Sequence, residues 1–144
     1  YKSELIKRVA SCRLEKNVSF LAPQDTEMMV SCYHNADVLV LPSLTTTVWK
    51  EQFGRVLVEA MACRLPVVGS DSGAIPEVIG DGGLIFCEGD AGDLARSLRL
   101  LMTSEALRTK LGHNGYKRAH SEYSQEVIAG KTVRFYRTLM EQTA

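Results

Sequence analysis

The chain has 144 residues, 45% of them hydrophobic and 24% charged, the composition of one globular domain long enough to bury a core. Its 17 basic side chains are matched by 17 acidic ones, so no bulk field draws it to nucleic acid or to an anionic membrane, and recognition has to come from a local site. No stretch approaches the ~20 consecutive apolar residues of a membrane-spanning helix, and the first residues, "YKSELIKRVA", are not the apolar block of a signal peptide.

Taken in chain order, helical and strand patterns alternate. Residues 2–14 carry Leu5, Ile6, Val9 and Leu14 at near-helical spacing, and "NVSFLAP" then reads as a short strand stopped by Pro23. "DTEMMVSCYHNA" reads as a helix capped by Asp25, with Met28, Met29, Cys32 and Tyr33 facing inward. "DVLVLP" is a continuous apolar run of the kind buried on both faces of a parallel sheet. A long loop, 43–53, leads into a helix from about Gly54 to Cys63. "PVVGS" and "GLIFC" give two further strands, with "AIPEVIG" a short helix between them. From Asp90 onward the pattern is helical, marked by Leu94, Leu98, Leu101 and Met102, then by Ile128, Phe135, Tyr136, Leu139 and Met140. Strict alternation predicts right-handed βαβ units: an α/β fold, a Rossmann-like three-layer sandwich whose parallel sheet has about four strands.

Cys12, Cys32, Cys63 and Cys87 are widely spaced with no C-x-x-C pair, which predicts free thiols in a reducing compartment. The expected location is the cytoplasm, with the inner face of the membrane as the alternative. His34, His113 and His120 form no spacing that a metal uses, so no metal and no other cofactor is expected.

Open parallel sheets bind ligands at the carboxyl ends of their strands, and the loop after "DVLVLP" is the longest connection in the strand-bearing half. It delivers Glu51, Phe53 and Gly54 to a helix start, whose unpaired backbone N–H groups attract anions, phosphate above all. Gly54 has no Cβ to obstruct a ligand. A carboxylate beside an anion site makes sense if it faces sugar hydroxyls, which are donors that an ionised Glu accepts. Glu59 follows Glu51 by eight positions, roughly 12 Å along a helix, about the reach of a diphosphate with a sugar at each end. The structural alternative makes Glu51 a first-turn acid and Glu59 a flank residue paired with a Lys or Arg.

"ADVLVLPS", "EQFGRVLVEAMAC", "PVVGSDSGAIPEVI", "DGGLIF" and "DAGDLARSLRLLM" occur in that order. Together they resemble the donor-binding, C-terminal half of retaining glycosyltransferases of GT-B architecture, the group with an E-x7-E signature, here Glu51 and Glu59. The resemblance runs from about residue 17 to the C-terminus. It implies that the parent enzyme transfers a hexose from a UDP-, GDP- or ADP-hexose, with retention at the anomeric carbon, to an acceptor sugar, lipid or small molecule. Glu51, the residue expected at the reacting sugar, would contact the donor sugar's hydroxyls. Backbone N–H groups of Phe53 and Gly54 would contact sugar and diphosphate, Glu59 the ribose, and Leu21, Ala22 and Pro23 would border the base. A nucleotide-sugar epimerase of the same fold and a non-catalytic nucleotide-binding or interaction module are the alternatives.

Further residues carry both a functional and a structural reading. Pro76 and Glu77 resemble the family's Pro-Glu pair, yet both already favour a helix start. Asp71, Ser72 and Gly73 leave a strand end toward the same cleft or simply make a turn. Lys50 and Arg55 could meet phosphate or be solvated, and Trp49 and Phe53 could line the sugar pocket or serve as packing. Arg64 stands where relatives usually have the Gly that ends a helix, so the helix must end differently or Arg64 is strained by about 1 kcal/mol.

The family's donor domain also carries an Arg and a Lys at an earlier point, and its acceptor-binding domain is separate; neither has a counterpart in residues 1–144. The chain is therefore expected to be a partial donor-binding domain, inactive alone. Two of the family's strands would lie between those matching "NVSFL" and "DVLVLP". Either these two pair directly, or two copies associate across the gap; self-association is the expectation, because a bare apolar strand edge recruits partners.

Overall fold

A computed structural model describes residues 1–142. Helices α1 (Lys2–Ser11) and α2 (Thr26–His34) precede β1 (Leu39–Leu41), followed by α3 (Arg55–Ala62), β2 (Val67–Ser70), α4 (Ile75–Ile79) and β3 (Gly83–Phe86). Three helices complete the chain: α5 (Ala91–Thr103), α6 (Glu105–Tyr123) and α7 (Gln125–Gln142). Among the described residues no helix is long and apolar enough to cross a membrane.

The three strands form one parallel sheet in the order β1-β2-β3, with Leu39 opposite Val67 and Val67 opposite Gly83. All four residues of β2 are buried, and the two-residue period of a strand divides the core in two. Val67 faces Leu57, Ala60 and Met61 of α3 and Ile75, Val78 and Ile79 of α4, with Leu39 and Leu41 of β1 on the same side. Val68 faces Leu101 of α5, Leu111 of α6 and Phe86, joined by Val38 and Val40. Helices thus cover both faces, which gives the three-layer α/β sandwich expected from the alternating pattern. Asp25 caps α2 by accepting the Met28 N–H at 2.9 Å, as its position predicts. Met28 itself is exposed while Tyr33 is buried. The marker residues of α7, Ile128, Phe135, Tyr136, Leu139 and Met140, are all exposed.

The sheet has three strands rather than about four, because "NVSFL" forms no strand. Asn17 and Val18 instead turn back to the Leu14 carbonyl, and Leu21–Pro23 lie across an apolar cleft of about 650 Å³ from Leu39 and Leu65. A strand is defined by its ladder partner, and this segment has none. Tyr33 ties α2 to α3 through Glu59. Direct pairing of "NVSFL" with "DVLVLP" is not made, and β1 pairs on one side only, with β2.

Arg64 ends α3 in the left-handed region at φ 60°. Its N–H reaches the Met61 carbonyl at 2.9 Å while that of Leu65 reaches Ala60 at 3.0 Å, the paired bonds of a Schellman motif that ordinarily calls for glycine. The strain expected from the sequence is present, and the Arg64 guanidinium sits 4.0 Å from the Tyr116 ring centroid. An exposed cation–π contact of ~0.5–1 kcal/mol offsets part of the ~1–2 kcal/mol cost of the left-handed backbone. Arg64→Ala, which keeps the cost and loses the stack, is expected to melt below both wild type and Arg64→Gly in thermal unfolding; an Ala variant more stable than the Gly variant would contradict this balance.

Candidate functional site

The carboxyl ends of the three strands meet in one hydrogen-bonded cluster. Ser70, the last residue of β2, donates to the Ser43 carbonyl after β1 at 2.6 Å. Thr45 contacts the Ser72 hydroxyl at 2.9 Å and donates its N–H and hydroxyl to Glu88 at 3.1 and 2.9 Å. The Glu88 N–H in turn donates to Asp71 at 2.7 Å. Ser70 and Ser72 are fully buried, and among the described residues every buried side-chain N or O atom has a partner. The loops after β1, β2 and β3 thereby act as one rigid floor. Asp71 ties the loop after β2 to the end of β3, its carboxylate accepting from Glu88 and its N–H donating to the Phe86 carbonyl.

Glu51 sits at the centre of this floor. One carboxylate oxygen accepts the Ser43 hydroxyl and the other the Gly54 N–H, each at 3.1 Å, while its backbone carbonyl accepts the Ala74 N–H at 3.1 Å. Gly73 makes that last approach possible. It is left-handed at φ 57°, and a Cβ there would lie 1.9 Å from the Glu51 carbonyl oxygen. Gly54 begins α3 at φ 76°, and a Cβ on it would meet Leu57 and Leu41 at 2.9 and 3.0 Å. Its glycine is thus required by backbone conformation and core packing, whereas the sequence alone suggested room for a ligand. Glu51 is not the first-turn acid of the structural alternative: it precedes the helix, and the N–H it accepts is that of Gly54, the residue before Arg55.

Glu59, one turn into α3, faces a separate cleft of about 350 Å³, lined by Gln24, Asp25, Met29 and Val30 on one wall and Arg55 and Cys63 on the other. Its Oε2 accepts the Tyr33 hydroxyl at 2.8 Å and its Oε1 pairs with the Arg55 Nε at 2.9 Å. The Arg55 pairing is the flank reading of the sequence. Burial, followed by its hydrogen bond to the Glu59 carboxylate and the charge there, pushes the Tyr33 phenol well above its usual range, so Tyr33 remains a neutral donor. Burial and then Glu59 also raise the Cys63 thiol. Near the floor, the Asp71 charge is the main cause that raises the Cys87 thiol.

Of the remaining predicted residues, Leu21, Ala22 and Pro23 line the apolar cleft described above, which shares Gln24, Met29 and Tyr33 with the Glu59 cleft. Phe53 packs edge-on against Tyr123 with centroids 5.4 Å apart, so its ring is committed to α6. Trp49 is 50% exposed rather than packed, and Lys50 is exposed. Pro76 stands in the first turn of α4; the Glu77 and Val78 carbonyls accept from Arg118 at 2.6 and 3.0 Å, consistent with a structural role for this pair. Ser43, Thr45, Glu88 and Tyr33 were not predicted as site residues. Their partners lie 8 to 43 positions away, a separation at which sequence spacing carries no signal.

A small parallel sheet with helices on both faces is the α/β architecture this chain shares with glycosyltransferases of the GT-B class. Sucrose-phosphate synthase from Thermosynechococcus elongatus superposes with a TM-score of 0.85 at 30% identity, covering 97% of this chain and 34% of that one. Anabaena Alr3699/HepE, solved in complex with UDP, gives 0.81 at 25% identity, covering 96% and 37%. The capsular polysaccharide biosynthesis glycosyltransferase CapM of Staphylococcus aureus is 34% identical over 116 residues, 79% of this chain and 29% of that protein. Residues 1–118 match the family described as glycosyl transferases group 1, and the chain belongs to it. It spans about a third of the length of these relatives.

The contact at Gly73 gives a direct check on the floor. Gly73→Ala must move the Glu51 backbone and hold a left-handed alanine, so it is expected to cost more than about 1 kcal/mol and to lower the melting temperature by roughly 3 °C or more. An unchanged melting temperature would show that the two loops are not locked.

Proposed function

We propose that residues 1–144 are part of the donor-binding domain of a retaining hexosyltransferase that uses a nucleoside diphosphate sugar. The observation that carries this reading is the placement of Glu59 in a cleft beside the start of α3, with Glu51 at the other end of that turn on the strand-end floor. Glu59 accepts the ribose hydroxyls, Glu51 the hydroxyls of the transferred sugar, and backbone N–H groups at Phe53 and Gly54 meet the sugar and the diphosphate between them. On this reading the Gly54 N–H exchanges its bond to Glu51 for one to the ligand. The base lies toward Leu21, Ala22 and Pro23. The UDP bound by HepE supports a uridine nucleotide. In the transfer, the bond from the anomeric carbon to the diphosphate breaks and a bond to an acceptor hydroxyl forms on the same face. Helix-end N–H groups and basic side chains stabilise the departing charge, and the acceptor is held by a domain outside these residues.

Glu59→Ala is expected to weaken binding of UDP, GDP or ADP more than Glu51→Ala does, because a free nucleotide retains its ribose and lacks the sugar. Calorimetric titration of both variants measures this, and equal losses would remove the assignment.

The open edge of β1 beside an apolar cleft further supports self-association of the 144-residue chain, since an exposed strand edge is a template for pairing. Sedimentation at tens of micromolar is expected to give a dimer; a single monomer boundary would dismiss it.

A further inference from the structure

We infer that Tyr33 is a positioning residue for the nucleotide: its hydroxyl fixes the Glu59 carboxylate in the orientation that accepts ribose. The inference rests on the assignment of Glu59 to ribose and adds a residue to it. Glu59 lies on the α3 wall of its cleft, and with its side chain 36% exposed it would be free to change rotamer without an external partner. Two groups hold it. Arg55, one helical turn earlier on the same helix, reaches Oε1 at 2.9 Å, but the Arg55 side chain is 86% exposed, and exposed pairs of this type are weak because solvent screens them and ordering the long side chain costs entropy. Tyr33 reaches Oε2 at 2.8 Å from a different element, α2, and its ring is 4% exposed within the same core cluster as Leu57, Met61 and Leu65. A ring anchored in the core has a fixed hydroxyl, and a phenol donating to a carboxylate is a strong, directional bond. Tyr33 therefore sets the carboxylate, while Arg55 follows it.

The same bond has a second consequence. α2 carries Thr26, Met29 and Val30, the wall of the cleft opposite Glu59, and is preceded by Gln24 and Asp25. Tying α2 to Glu59 fixes the width between the two walls, so the base side and the ribose side are aligned by one contact. A carboxylate oxygen has two lone pairs, so an oxygen that already accepts from Tyr33 can still accept a ribose hydroxyl.

The test compares the tightest-binding of UDP, GDP and ADP with its 2′,3′-dideoxy counterpart, on wild type, Tyr33→Phe, Glu59→Ala and the double variant. Wild type is expected to prefer the ribonucleotide. Tyr33→Phe keeps the buried ring and is expected to cut that preference about 5- to 10-fold, leaving affinity for the dideoxy nucleotide within about twofold; on the Glu59→Ala background it should change nothing further. Equal weakening of both nucleotides by Tyr33→Phe would mean that Tyr33 merely packs the fold, and would overturn the inference. A wild type that does not prefer the ribonucleotide, or binds none of the three, would overturn the assignment of Glu59 itself. A reading on wild type decides the matter even if Tyr33→Phe fails to fold. With ring-labelled tyrosine, the Tyr33 Cζ resonance is expected to shift on binding the ribonucleotide and to stay in place with the dideoxy form; the same shift with both would count against the role.

Discussion

Because Val67–Ser70 are buried on both faces and hydrogen-bonded on both edges, β2 cannot move without disturbing both halves of the core. Its last residue, Ser70, is also the first link of the strand-end floor through its bond to the Ser43 carbonyl. Packing and site are thus continuous along one strand. The apolar alternation of Val67 and Val68 places two helical layers, and the polar residue that follows ties down the loop carrying Glu51. A loop as long as 43–53 would ordinarily be mobile, since ordering each residue costs ~1–2 kcal/mol of backbone entropy. Here Ser43, Thr45 and Glu51 are each bound to another strand end or to the helix start. The Glu51 carboxylate is thereby held in one orientation within the chain.

Both glutamates are held by hydrogen bonds or ion pairs within the chain. Glu51 accepts from Gly54, and Glu59 pairs with Arg55. Such partners do not compete with function, because a carboxylate that must meet a ligand in one orientation has to be held in it beforehand. The difference between the two lies in their surroundings. Glu51 belongs to a network of loops, whereas Glu59 is gripped from a separate helix across a cleft.

Much of this was legible in the sequence. "DVLVLP", "PVVGS" and "GLIFC" are strands because continuous apolar runs this short suit burial on both faces, and Asp25 announces α2 by its capping chemistry. Glu51 and Glu59 stand out by their spacing and the surrounding motifs, and the fold puts one on the strand-end floor and the other in a cleft. "NVSFL" could not be placed correctly, since its β-branched and aromatic residues satisfy a strand's propensity while the segment has no ladder partner. Tyr33 reads as one more core aromatic, and the polar end of its ring becomes visible only when α2 packs on α3. Arg64 was legible as a departure. Its remedy, the Tyr116 ring more than fifty residues later, was not.

The last helix carries a different lesson. α7 has no buried residue and is clasped to α6 in part by Lys131 reaching Glu122 at 2.7 Å, whereas β2 is wholly enclosed. Stability within one domain is graded by how much apolar surface each segment buries. The backbone amides of α7 are therefore expected to exchange with solvent deuterium through local opening, and those of β2 only when the whole domain unfolds, with the loops that hold Glu51 fastened to the slower part.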